Sequence, residues 1–221
     1  MKLVLNGLVK LILGFALMAL FFFGIAGTFD YMGAWHLLAL LFVPMLILGI
    51  VLLIKAPDLL AKRLNVKEKQ KTQKGVVGLS GLVFLVGFVL APLDHRFAWT
   101  EVPQWAQITA AVLFLLSYGM YAEVMRENAY LSRTVEVQEN QKVVDTGLYG
   151  IVRHPMYFAT TIMFLTIPVI LGSFVALIPF VFYPVLMVVR IIDEEKLLTA
   201  ELSGYAEYKK NVKYRLIPYI W

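Results

Sequence analysis

Apolar runs of about twenty residues leave a chain few ways to fold, because a helix rising about 1.5 Å per residue needs that length to cross a hydrocarbon core of about 30 Å. The first half of this sequence holds four, at residues 8–28, 35–54, 76–93 and 105–125. A bilayer offers no water to backbone N–H and C=O groups, so such runs satisfy themselves as helices. Composition agrees, with 60% of the 221 residues hydrophobic and 16% charged, and a mean hydropathy of +0.76. The expected fold is all-α and polytopic, with about six membrane segments and with cytosolic connecting and C-terminal helices.

The first run follows Lys2 and Lys10 and ends near the small pair Ala26-Gly27, which imitates a secretory leader. Its apolar stretch is longer than a leader's core of about 7 to 15 residues, and further spans follow, so it is read as a retained anchor. Trp35, Trp99 and Trp105 stand at span ends, and His36 and His95 read as interfacial residues. Pro44 is expected to kink the second span.

Charge sets the expected orientation. Between the second and third spans Lys55, Lys62, Arg63, Lys67, Lys69, Lys71 and Lys74 face only Asp58 and Glu68, whereas Asp94, Arg96 and Glu101 give the next loop no positive excess. Positive loops stay inside, so the first loop and both termini are expected in the cytoplasm. The polar stretch 127–153, with Arg126, Arg133, Lys142 and Arg153 in or beside it, belongs to the same side. A +5 net charge is what such topology demands, and no nucleic-acid partner is inferred from it. Cysteine is absent, which excludes disulfides, thiolate zinc sites and cysteine nucleophiles. No metal is expected.

Residues 155–189 are apolar for longer than one span needs and are interrupted by Gly172-Ser173. A helical hairpin is expected, each arm about 25 Å long, kinked at Pro168, Pro179 and Pro184. An amphipathic helix with Asp193, Glu194, Glu195 and Lys196 and then a basic tail return to the cytoplasm. The organisation is thus 1–126, N-terminal membrane helices, and 127–221, a region built on the hairpin and tail. Gly75, Gly78 and Gly81 line one helical face and are expected to serve close helix packing.

The chemistry-bearing residues gather at the two ends of the hairpin: Asp145-Thr-Gly-Leu-Tyr-Gly-Ile-Val-Arg-His-Pro-Met-Tyr157 and Arg190-Ile-Ile-Asp-Glu-Glu195. Pro155 suits the first turn of a helix, which sets Arg153 and His154 at its mouth, where the helix N-terminus favours an anion. Arg190 and Glu194 share a face four residues apart at the same depth. Read singly, Arg153 equally obeys the positive-inside rule, Arg190 with Glu194 equally forms an exposed helix pair, and Glu123 either faces the pocket or pairs with Arg126. Together, a fixed cation, an anion, an imidazole and the phenols of Tyr149 and Tyr157 beside lipid suit a zwitterionic cofactor and an amphipathic substrate. No glycine-rich turn of the doubly wound nucleotide folds is present.

Gly147-Leu-Tyr149, Arg153-His-Pro-Met-Tyr157, Glu194-Glu195, Tyr205-Ala-Glu-Tyr208 and Ile217-Pro218 resemble the isoprenylcysteine carboxyl methyltransferase family and the related phospholipid methyltransferases, over residues 138–218. The short turn Leu202-Ser203-Gly204 is similar to the bacterial-type branch, which implies a bacterial inner membrane. The resemblance implies an S-adenosylmethionine pocket facing the cytosol, formed by Gln138, Gln141, Lys142, Val143, Val144, Tyr149, His154, Tyr157 and Glu194. It also implies that Arg190 binds and orients the carboxylate of a lipophilic or amphipathic membrane-resident acceptor. Phe158-Ala159 replace the family's usual glycine, which is expected to narrow the cleft. Carboxylate O-methylation is the favoured reaction and amine N-methylation, with Glu194, Glu195 or Glu123 as base, the alternative. The rival from another class is a small transporter or a non-catalytic membrane protein that keeps the fold; against transport, the charges avoid the bilayer midplane.

Overall fold

The computed structural model describes residues 2–64, 71–131 and 137–221, so Lys67, Glu68, Lys69 and Arg133 of the charge count lie outside the described residues. Helices follow in the order α1 (Lys2–Ala26), α2 (Met32–Lys55), α3 (Pro57–Leu64), α4 (Lys71–Phe97) and α5 (Gln104–Glu127). After a 3-10 turn at Gly147–Gly150 come α6 (Pro155–Ile170), α7 (Phe174–Phe180), α8 (Phe182–Glu201) and α9 (Tyr205–Asn211). Among the described residues five stretches are long and apolar enough to cross a membrane: Val4–Ala26, Met32–Lys55, Gln73–Phe97, Gln104–Glu127 and Phe174–Glu201. The shorter α6 is apolar too. Ile12, Leu20, Ile54, Leu116 and Ile178 are each more than half exposed, a surface that only lipid covers at low cost. The chain is an integral membrane protein of all-helical, polytopic fold.

The hairpin differs from expectation in its second arm. Gly172 and Ser173 make the turn, with the Ser173 hydroxyl accepting from Ala176 N at 3.0 Å. The arm then breaks at Val181, between α7 and α8. Pro184 has no N–H, so the Phe180 carbonyl loses its donor four residues on, and the helix restarts. From Phe182 it runs unbroken to Glu201, so the amphipathic segment expected as a separate helix is the end of α8.

Phe22, Leu37, Phe114, Ile167 and Phe180 fill the core between the hairpin and the N-terminal helices, and α5 against α6 is the most extensive helix pair. Among the described residues the close packing expected at Gly75, Gly78 and Gly81 is not found, since a Cβ at any of them would meet nothing within 4 Å. The tight approach on α4 is at Gly87, where a Cβ would lie 2.3 Å from the Phe180 ring.

Polar contacts tie the helices at two rims. At one, Asp94 is wholly buried and accepts from Thr100 N at 2.7 Å and from the hydroxyls of Thr100 and Ser173. Nearby, Tyr31 donates to Leu171 O at 2.9 Å, and His95 stacks on Tyr31. At the other, Lys10 Nζ donates to Leu64 O and Gln73 Nε2 to Asp193 Oδ2. The site lies at this second rim.

Candidate active site

Arg153 and His154 precede Pro155 at the start of α6, and their backbone is stitched to the C-terminal tail. Arg153 N donates to Tyr214 O at 2.9 Å and His154 N to Arg215 O at 2.8 Å. The Arg153 guanidinium reaches Val212 O, Lys213 O and Glu195 Oε1 at 2.7 to 2.8 Å. Glu195 also takes Arg215 Nε at 2.9 Å and His154 Nε2 at 3.3 Å. Arg153, His154 and Glu195 are all buried. Arg153 therefore does far more than mark a cytosolic loop, and both Glu195 oxygens are engaged by cationic or imidazole partners, which leaves this carboxylate unsuited to act as a base.

One turn along, Arg190 Nε donates to Tyr157 Oη at 2.9 Å, and that hydroxyl donates to Glu194 Oε2. Arg190 is buried and its guanidinium carbon stands 5.8 Å from the Tyr157 ring centre. The alternative of an exposed Arg190–Glu194 helix pair is thus replaced by a chain through a phenol from the other arm. Glu123 pairs with Arg126 at 2.8 Å on an exposed face, away from the cleft.

The cleft enclosed by these groups is lined by Gln141, Lys142, Val143, Val144, Tyr149, His154, Tyr157, Arg190 and Glu194. Gln138 does not line it. Its side chain is spent on the loop, donating to Tyr130 O while its backbone N donates to Gln141 Oε1. Phe158 packs in the cluster around Tyr183 and Met187, and Ala159 is buried, so neither narrows the cleft. Sequence reasoning left Asn128, Tyr130, Met156, Leu198, Tyr205 and Tyr208 out of this wall. Tyr205 and Tyr208 had a signal in the Tyr-x-x-Tyr spacing of α9; Asn128 had none.

Tyr149 receives Asn128 Nδ2 at 3.0 Å on its hydroxyl and Tyr208 Oη at 2.7 Å on its carbonyl. Burial is the main force holding the phenols of Tyr149, Tyr205 and Tyr208 well above their ordinary pKa, so all three stay protonated at neutral pH. Tyr205 Oη is buried and has no hydrogen-bond partner among the described residues. A donor left so in a cleft wall costs about 1–3 kcal/mol, which a bound acceptor group would recover. About 820 Å³ lies between the walls, solvent at the open mouth included.

A second cavity, about 1590 Å³ on the same measure, opens among the apolar helices. Its walls include Phe84, Met163, Phe164, Tyr183 and Met187, with Ser80, Tyr118 and Tyr121 among the polar members. Met156, Tyr157 and Arg190 belong to both walls. One polar space and one largely apolar space therefore meet across three side chains. Among the described residues no cluster of His, Asp and Glu could hold a metal ion.

Residues 105–205, under half of the chain, match the family model for phospholipid methyltransferase. No curated protein matches the chain.

Proposed function

We propose that the protein is a membrane-embedded, S-adenosylmethionine-dependent methyltransferase acting on a lipophilic acceptor, with carboxylate O-methylation favoured. The observation that carries this reading is the shared wall of Met156, Tyr157 and Arg190 between the polar cleft and the apolar cavity. The match to a methyltransferase family over the helices that build the cleft supports it.

The residues present fit the cofactor. Tyr149 and Tyr205 offer phenol faces, the Tyr205 hydroxyl is an orphaned donor, Glu194 accepts from a polar edge, and Lys142 offers a cation to a carboxylate. Bound S-adenosylmethionine supplies a sulfonium methyl group that is already activated. An acceptor carboxylate then needs alignment and removal from water rather than a base. Arg190, braced by Tyr157, is the aligning residue. The second reading, an amine acceptor, is favoured by the family's description as phospholipid methyltransferase. An amine must lose a proton first, and Glu194 is then the base.

In this reading residues 127–221 carry the cofactor site and residues 1–126 contribute walls of the acceptor cavity. The basic rim and both termini face the cytoplasm, and the chain is a bacterial-type member of an inner membrane. Isothermal titration of the detergent-solubilised protein with S-adenosylmethionine and S-adenosylhomocysteine tests the core of it. Binding tighter than about 1 mM is expected, and absence of binding by well-folded protein overturns the assignment. Arg190→Gln should abolish methyl transfer while keeping S-adenosylhomocysteine affinity within about threefold.

A further inference from the structure

The second cavity has a cation that belongs to neither end of the hairpin. Arg63, on α3, lines it together with Arg190. Arg63 donates to the hydroxyl of Tyr121, and its guanidinium carbon stands 5.4 Å from that ring's centre. This repeats the way Arg190 is braced on Tyr157, so one guanidinium stands on an α5 tyrosine and the other on an α6 tyrosine. A planar guanidinium fixed in this way is suited to a carboxylate or phosphate.

The position of α3 indicates the depth at which the anion is read. The helix follows the basic end of α2 at Lys55, buries Leu59, and accepts Lys10 Nζ at its last carbonyl. In the proposed reading this polar rim is the headgroup level, and the cavity that Arg63 lines has Phe84, Met163 and Met187 in its walls. Ser80 Oγ, buried and without a hydrogen-bond partner among the described residues, is in the same wall. A cavity that sets two guanidinium groups among largely apolar walls suits an anionic amphiphile.

We infer that Arg63 is a specificity-determining residue that recognises an anionic oxygen group, carboxylate or phosphate, on the membrane acceptor. The inference rests on the methyltransferase reading in taking this cavity as the acceptor's. It assigns acceptor choice in part to the N-terminal region, since Arg63 lies outside the segment that matches the family model.

The test is direct binding of radiolabelled oleate, oleoyl lysophosphatidate and uncharged monooleoylglycerol to the full chain in neutral maltoside detergent. The wild type should prefer at least one anionic amphiphile over monooleoylglycerol by about tenfold or more, and Arg63→Gln should bring the two affinities together. Preference for oleate alone assigns a carboxylate, and for lysophosphatidate alone a phosphate; either supports the inference. Arg63→Lys, which keeps the charge without the planar fork, should retain part of the preference and serves if Arg63→Gln does not fold. A wild type without preference, or a full preference in whichever variant folds, overturns it. S-adenosylhomocysteine titrated in parallel separates the two readings: its failure to bind the wild type sinks the methyltransferase assignment, whereas unchanged binding beside a lost amphiphile preference isolates Arg63.

Discussion

Two adjacent carboxylates on α8 have different work. Glu195 is buried and engaged by Arg153, His154 and Arg215, so it joins α6, α8 and the tail. Glu194 lines the cleft and accepts from Tyr157. Glu195→Gln removes a charge from a buried ionic network, a change that costs about 3–5 kcal/mol when partners are left uncompensated. The expected result is a lower melting temperature in detergent. Glu194→Gln should melt near the wild type and bind S-adenosylhomocysteine at least about tenfold more weakly. A thermal scan and a titration on both variants decide the matter, and equal melting losses would remove the distinction. The pair looks alike in sequence because neighbouring helical positions differ only by a rotation of about 100° per residue, and nothing local states which face meets the tail.

At the scale of elements, the cleft depends on how the 3-10 turn docks on the end of α5. Leu148 N donates to the Glu127 carboxylate at 3.0 Å. Gly147 has φ +55°, and a Cβ there would lie 1.5 Å from Glu127 Oε1. Gly147→Ala combines a left-handed backbone with expulsion of that carboxylate, a loss of about 2–4 kcal/mol. Reduced thermal stability with weaker S-adenosylhomocysteine binding is expected, because Tyr149 sits in the same turn. Restored stability in Gly147→Ala/Glu127→Ala would show that the clash, rather than the backbone, dominates. The glycine was visible in the motif, but its partner was not, since Glu127 reads in sequence as the polar end of a span. The break at Val181 is a contrasting case, for Pro184 is a local cause and the expected kink became a restart.

For the whole molecule, the cleft lies at one rim and the buried Asp94 cluster at the other, so a change at Asp94 tests stability apart from the cleft. Asp94 gathers Thr100 and Ser173 on the rim away from the cleft. Asp94→Asn gives one oxygen to donors that now share two, and should lower stability by about 2–3 kcal/mol while S-adenosylhomocysteine affinity of the folded protein is kept. A binding loss as large as that of Glu194→Gln would mean that the rims are coupled through the hairpin. The sequence by itself determined a polytopic helical protein with a hairpin near its end, because hydropathy, proline and glycine act over a few residues. It also marked Tyr149, His154, Tyr157, Arg190 and Glu194 as a set, through their spacing at the two hairpin ends. Only the tertiary structure decided that the tail frames the candidate site, that Gln138 stands outside the cleft wall, that a Cβ at Gly75, Gly78 or Gly81 would meet nothing within 4 Å among the described residues, and that Arg63 lines the second cavity. These contacts join groups far apart along the chain, 42 residues from Arg153 to Glu195 and 58 from Arg63 to Tyr121. No window of sequence carries the direction of such side chains, which packing alone sets.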